Sequence, residues 1–302
     1  QTVDSLFAMT PTSGLPVMLG MAAGWAAWYW AVLRPASLST KPWGPQWLAV
    51  MVSGWLHSFG CWWLDFSDNV PESVAAGTWD EGKQYVMAWH PHGAFTVSAL
   101  YFVAHWWAQN KPGGIRGKQF VCVAPLLLRI PFLAEFLLLC HARSQDRKTF
   151  QGLLSKGATV AVQPGGLVEQ VNTDDKQERL FFPANLGFIK LAIQNGVPLL
   201  PCYVFGENQL YRTAEWSRRL NSFFYKYLKT GNLMVIGQFG IPVTPAIPNP
   251  LMLPVYKTKL HIHFGKPVEV GPKEQNPSDE RVKEVFEKYT AELQAVFNAE
   301  KH

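Results

Sequence analysis

Two long apolar stretches near the front of the chain restrict its fold more than anything else in the sequence. Leu15 to Leu33 (LPVMLGMAAGWAAWYWAVL) contains no Asp, Glu, Lys, Arg or His and is followed at once by Arg34. Trp43 to Leu64 contains a single such residue, His57. Each is long enough to cross a hydrocarbon core of ~30 Å, and both carry Trp or Tyr toward their ends, as membrane interfacial belts do. The expectation is an N-terminal segment, residues 1–68, folded as a two-helix membrane hairpin over about 15–33 and 43–64. A pair of buried core helices is the alternative, left open by the glycines and tryptophans inside each run. The opening Gln1-Thr2-Val3-Asp4 lacks the basic region of a signal peptide, and a second apolar run follows the first.

The remainder, residues 69–302, alternates short β-branched runs with helix-length patterns. Strands are expected at Gln84–Trp89, Gln119–Val123, Ala158–Gln163, Pro198–Phe205 and Lys259–Phe264, with a further one at Leu233–Phe239. Helices are expected near Ala94–Gln109, Arg147–Ser155, Leu186–Gln194 and Ser278–Ala299. The last has Ser278 as N-cap, Asp279 and Glu280 in its first turn, and an apolar stripe of Val282, Val285, Phe286, Tyr289, Leu293, Val296 and Phe297. The order is that of an α/β domain. Pro125 to Leu139 is apolar but interrupted by Arg129, Pro131 and Glu135, and suits either an interfacial segment or a buried helix. Thr244 to Pro254, with four prolines and no helical period, reads as a loop with exposed apolar residues.

Charge and cysteine content exclude some functions. A net charge of +5 is modest, and its basic residues gather at Arg212, Arg218, Arg219, Lys226 and Lys229. That cluster suits anionic headgroups or nucleotide phosphates, or simply a solvated helix face. No nucleic-acid module is present. Cys61, Cys122, Cys140 and Cys202 have no metal-type spacing and sit among apolar residues, the pattern of buried thiols in a reducing compartment.

Chemistry concentrates at Trp89-His90-Pro91-His92-Gly93, which closes one apolar run and opens another of helical length. Imidazole exchanges a proton near neutrality, and a helix N-terminus offers free backbone N–H groups to developing negative charge. A base beside an oxyanion site is one reading. Two metal ligands on one strand face, or two hydrogen-bonded turn histidines, are the others. A second strand-to-glycine turn, Val160 to Glu169, adds Pro164-Gly165-Gly166 and a carboxylate at Glu169. Paired glycines allow close backbone approach, and a Glu can hold an imidazole in one tautomer.

The ordered set of motifs resembles the diacylglycerol acyltransferase type 2 family, which includes monoacylglycerol and wax-alcohol acyltransferases. The carriers are His90-Pro91-His92-Gly93; Arg147-Lys148-Thr149-Phe150 with Leu153-Leu154 and Gly157; and Pro164-Gly165-Gly166 with Glu169. Gly187-Phe188-Ile189-Lys190-Leu191-Ala192, Gly196, Pro198 to Pro201, Phe205-Gly206-Glu207-Asn208 and Gly265-Lys266-Pro267 follow in order. The resemblance spans roughly residues 15–298. It implies a glycerolipid-acyltransferase-like mixed sheet flanked by helices. It also implies transfer of a fatty acyl group from acyl-CoA to a glycerolipid hydroxyl, diacylglycerol first, in the endoplasmic reticulum membrane or another organelle membrane such as the plastid's.

On that resemblance His92 is the base, Glu169 orients it, and His90 supports the turn or binds substrate. Oxyanion or substrate contacts fall to Gly93, Pro164, Gly165, Gly166, Arg147, Gly187, Phe188, Glu207 and Asn208. Acyl-CoA is a co-substrate, and neither a metal nor another cofactor is required. The family commonly has a basic pair before Gly-Phe where this chain has Asn185-Leu186. The His-x4-Asp box of the broader glycerolipid acyltransferases is absent, since Phe95 and Val97 stand five residues beyond His90 and His92. A non-catalytic subunit of a membrane complex built on the same fold is the alternative function, and the many tryptophans suit partners of that kind or a homo-oligomer.

Overall fold

The structure, a computed structural model, describes residues 14–80, 82–99, 119–244 and 255–300. Helix α1 runs from Gly14 to Ser37 and is the one described helix long and apolar enough to cross a membrane. Most of its apolar side chains, Met18 and Met21 among them, are exposed, while Leu33 near its end is buried. The residues Tyr29–Leu33 widen into a π-helical turn just before Arg34–Ser37. Pro35 lacks an N–H and its ring crowds the carbonyl four residues back, so the regular ladder cannot run through this point.

Helix α2, Gln46–Leu64, follows the expected second run but behaves differently. Ala49, Ser53, Leu56, Gly60 and Leu64 are buried at three- and four-residue intervals, so one face packs on the domain. Trp47, Trp55 and Trp62 lie on the exposed remainder. Of the two runs expected to form a hairpin, the first is a membrane-length helix and the second a helix with one face packed on the domain core.

The domain is built on a seven-stranded mixed sheet. In chain order its strands are β1 (Ser67–Asp68), β2 (Val86–His90), β3 (Gln119–Val123), β4 (Ala142–Ser144), β5 (Thr159–Val162), β6 (Leu199–Phe205) and β9 (His261–Phe264). Their spatial order is β1-β9-β6-β2-β5-β3-β4, parallel throughout except for the β6–β9 pair. Because Ser67 and Asp68 pair with His261 and Ile262, the sheet starts just before the boundary expected at residue 69. The expected strand at Leu233–Phe239 is reduced to β7 (Val235–Ile236), which pairs with β8 (Pro242–Val243) in a separate ribbon.

Alternation along β2 divides the core into two layers. Val86 and Ala88 face one side with Phe150, Ile189 and Tyr289, while Met87 and Trp89 face the other with Leu56 and Leu64. The first layer is covered by α5 (Arg147–Ser155), α7 (Gly187–Asn195) and the C-terminal α9 (Asp279–Glu300), which buries Val282, Val285, Tyr289, Leu293 and Val296. At ~1.5–3 kcal/mol for each large apolar side chain removed from water, that stripe is a major contribution to holding α9 on the sheet.

Several segments depart from expectation. Leu133–Leu139 forms α4, whose buried residues cluster with Leu33 of α1, and Trp28 Nε1 donates to Glu135 Oε1 at 2.9 Å. The Pro125–Leu139 region thus supports the end of the membrane-length helix. Of the basic cluster, Arg218, Arg219 and Lys226 lie on α8, Glu215–Leu228, which follows the short α6, Gly166–Val171, and is preceded earlier in the chain by α3, Val70–Ala75. Cys122, Cys140 and Cys202 are buried, but Cys61 is exposed, contrary to the expectation for all four. Apart from Thr244, the proline-rich loop lies outside the described residues.

Candidate active site

β2 ends at His90 and β5 at Val162, and they are parallel neighbours with Ala88 beside Val162. Their C-terminal ends therefore open side by side into two turns, Pro91-His92-Gly93 and Gln163-Pro164-Gly165-Gly166. Parallel sheets bind ligands outside such strand ends.

Glu169 stands in the first turn of α6 and reaches back so that its Oε2 lies 3.6 Å from His90 Nδ1, with the two side chains 2% and 0% exposed. Gly165 makes this possible, because a Cβ there would collide with the Glu169 carboxylate. Neither ring nitrogen of His90 and neither oxygen of Glu169 makes a hydrogen bond among the described residues. A buried polar group left unbonded costs ~1–3 kcal/mol, and folded proteins keep such groups chiefly where function uses them.

Aromatic rings enclose His90. Phe182 meets it edge-on at 5.1 Å and Tyr289 lies at 6.2 Å. Phe188, the second residue of α7, packs on Tyr289 at 5.5 Å and so reaches His90 only through that ring. Gly187 opens α7, where its N–H is capped by Asn185 Oδ1 at 3.2 Å. This gives Asn185 a structural role at the position where the family commonly has a basic residue.

His92 lies beyond the strand end, so the two imidazoles do not share one strand face. Its Nδ1 is 3.2 Å from Gly93 O and 3.4 Å from Thr96 Oγ1, and the Thr96 hydroxyl donates to Gln163 Oε1 at 2.6 Å. Nδ1–H is the donor this arrangement calls for, leaving the Nε2 lone pair free. Burial holds the His92 pKa below its ordinary value, and the Glu169 charge partly opposes that shift. The expected orienter of His92, Glu169, thus has its ion-pair contact with His90, while Gly93 and Thr96 fix the His92 ring.

The expected helix from Ala94 begins later. Ala94–Val97 is irregular, Ser98 and Ala99 are helical, and residues 100–109 lie outside the described residues. The reason is Glu207. Its Oε1 accepts the Val97 N–H at 2.8 Å and its Oε2 the Ser98 N–H at 3.1 Å, satisfying the donors that the sequence had offered to an oxyanion. Burial raises the Glu207 pKa to about 7 against the pull of those bonds. Gly93, at φ 65°, lets the turn close on this carboxylate, since a Cβ would stand 2.7 Å from Glu207 Cγ.

Gly166 is also committed, its N–H donating to Gln163 O at 3.1 Å. Among the described residues the N–H groups of Gly93 and Gly165 make no hydrogen bond, and Gln163 Nε2 is likewise buried and unbonded. Pro164 is buried in the turn between them. Asn208 donates to Glu178 Oε2 at 2.6 Å, which also accepts from Tyr203 OH at 2.8 Å. Arg147 is exposed at the start of α5 and donates to Gln194 at 3.2 Å, with no hydrogen bond or ion pair to the histidine–carboxylate group. A small gap of about 10 Å³ is lined by Trp89, Ala99, Val121, Ala161, Val162 and Gln163.

Thr96, Gln163, Phe182, Glu178 and Tyr289 were not singled out from sequence for the site. Only Gln163 carried a signal, its place immediately before the glycine turn.

The family model for diacylglycerol acyltransferase matches residues 66–302. Similar proteins include diacylglycerol O-acyltransferase 2B of Umbelopsis ramanniana, 27% identical over 78% of this chain and 69% of that one. 2-acylglycerol O-acyltransferase 1 of Bos taurus is 27% identical over 82% of this chain and 75% of its own. Diacylglycerol O-acyltransferase 2 of Dictyostelium discoideum is 28% identical over 80% and 73%. Among solved structures, the 1-acyl-sn-glycerophosphate acyltransferase PlsC of Thermotoga maritima aligns with a TM-score of 0.47 and 14% identity, over 83% of this chain and 81% of that chain. With the family match running through every strand of the sheet and both glycine turns, the chain belongs to the diacylglycerol acyltransferase family, a family of O-acyltransferases.

Proposed function

We propose that the protein transfers a fatty acyl group from acyl-CoA to a glycerolipid hydroxyl, with diacylglycerol as the first acceptor and triacylglycerol as the product. The observation that carries this is the buried, unbonded His90–Glu169 pair beside a neutral His92, in a chain of this family.

His92 Nε2 takes the proton of the acceptor hydroxyl as its oxygen attacks the thioester carbonyl carbon. The negative charge on the carbonyl oxygen is met by the free N–H groups of Gly93 and Gly165 or by Gln163 Nε2. The intermediate then collapses with cleavage of the C–S bond, and the imidazolium returns its proton to the departing CoA thiolate. Glu169 stabilises the transient positive charge on His92 and holds His90 beneath the turn. A thioester is activated enough that this sequence needs neither a metal nor a covalent enzyme intermediate.

Helix α1 supports membrane attachment, for which the endoplasmic reticulum is the proposed site, and the exposed tryptophans of α2 extend the apolar surface toward the same bilayer. Acyl transfer from labelled oleoyl-CoA to a panel of diacylglycerol, monoacylglycerol and fatty alcohol in detergent micelles tests the reading. Triacylglycerol as the main product supports it. Product with another acceptor corrects the substrate, and folded, lipid-binding protein that makes no product with any acceptor overturns it.

A further inference from the structure

His261 and His263 are residues i and i+2 of β9, so both imidazoles leave the same face of the strand, opposite the buried Ile262 and Phe264. The last turn of α9 brings Glu300 to that face. One nitrogen from each ring and one carboxylate oxygen lie within 4.8 Å of one another. Ser67 Oγ is hydrogen-bonded to His261 Nδ1 at 2.8 Å, which orients this ring and leaves its Nε2 available.

A simple ion pair does not account for the arrangement. His263 Nδ1 stands 3.3 Å from Glu300 Oε1 yet makes no hydrogen bond with it. Burial lowers the pKa of both histidines, with His263 adding to the shift on His261, while Glu300 opposes it. Asp68 also favours the His261 cation and Lys259 disfavours it. The 3.3 Å between His263 Nδ1 and Glu300 Oε1 also matches the edge of a tetrahedron with metal–ligand bonds of roughly 2.0–2.1 Å.

We infer that His261, His263 and Glu300 form a binding site for a borderline divalent cation, zinc foremost, that clamps the end of α9 to β9. Two imidazoles and one carboxylate, with water in the fourth position, suit Zn²⁺, Ni²⁺ or Cu²⁺ and not Mg²⁺ or Ca²⁺. The hydroxyl of Ser67 serves as the supporting hydrogen-bond partner that such histidines usually have. The site is separate from His90 and His92, and the inference does not depend on the acyl-transfer reading. It does bear on the catalytic region mechanically, because α9 also supplies Tyr289 against His90.

The test is zinc titration of metal-stripped full-length protein in detergent, read by calorimetry and by metal analysis after gel filtration, for the unsubstituted chain, His263→Ala, Glu300→Gln and His92→Ala. The inference predicts one zinc per chain in the unsubstituted protein and in His92→Ala, at least a ~100-fold weaker affinity in His263→Ala, and a smaller weakening in Glu300→Gln. It also predicts an unfolding temperature that climbs with free zinc for the unsubstituted protein and for His92→Ala alike, and hardly at all for His263→Ala. Equal zinc uptake by His263→Ala, or uptake lost in His92→Ala instead, would overturn it.

Discussion

Glu207 and Gly93 are in direct contact across the turn that carries His92: a Cβ on Gly93 would stand 2.7 Å from Glu207 Cγ, and the Glu207 carboxylate beyond it holds the N–H groups of Val97 and Ser98. The turn carrying His92 is therefore shaped by a residue far away in sequence.

Gly93→Ala should destabilise the fold by about 1–3 kcal/mol through overpacking, with a further penalty from the positive φ. Thermal unfolding in detergent would show a lower Tm together with lost activity. An unchanged Tm would mean that Glu207 gives way freely.

How much of this could be read from sequence varied with the range of the forces involved. The strand at Gln119–Val123 and the helix at Arg147–Ser155 have the bounds expected from local pattern. β4, with three residues, is too short to leave a periodic signal. The false start of the helix at Ala94 has a physical origin, since nothing near Ala94 announces that Glu207 will cap the backbone at Val97 and Ser98. Likewise the sequence places His90, His92 and Glu169 in two turns, but which imidazole meets the carboxylate depends on β2 ending at His90 and on α6 folding Glu169 back over Gly165. The one buried face of helix α2 is not legible in its sequence, because Trp and Leu serve equally well against lipid and against a sheet.

Two buried groups should tilt stability in opposite directions with pH. Glu207 has its pKa raised from 4.5 to about 7, so its contribution is full below pH 4.5 and is lost as pH rises toward 7, on the order of 3 kcal/mol. His141, hydrogen-bonded through Nδ1 to Gln119 O at 3.0 Å, has its pKa lowered from 6.5 to about 4, so its contribution is full above pH 6.5 and is lost as pH falls toward 4. Between pH 4.5 and 6.5, Glu207→Gln should give a Tm that rises more steeply with pH than that of the unsubstituted protein, and His141→Phe a less steep one. Parallel curves for all three proteins would refute both assignments.

The acid limb of the rate profile should report His92. Burial lowers its pKa and Glu169 raises it, so kcat/KM should climb with pH below 6.5 and level off above. Glu169→Gln should reduce kcat by about 10²-fold or more and move that limb to lower pH, because the opposing charge is gone. A limb that stays in place would separate Glu169 from the titrating group.

The two N-terminal helices should differ in a bilayer. A spin label at Met21 of α1, 72% exposed in the protein, should be accessible to oxygen and shielded from a water-soluble relaxant in nanodiscs. Labels along α2 should show shielding by the protein at Ser53 and Leu56, with lipid contact confined to the Trp55 and Trp62 side. Uniform lipid exposure around α2 would restore the two-span hairpin.

His92, as the base that deprotonates the acceptor, is the residue on which the proposed transfer depends most. Single-turnover transfer of a labelled acyl group from acyl-CoA to diacylglycerol should be measured for the unsubstituted protein and for His92→Ala at matched folding and acyl-CoA occupancy. A rate lower by about 10²–10⁴ in the variant, with acyl-CoA affinity unchanged, is the predicted result. Transfer at the unsubstituted rate would contradict the assignment and shift the chemistry to His90 and Glu169.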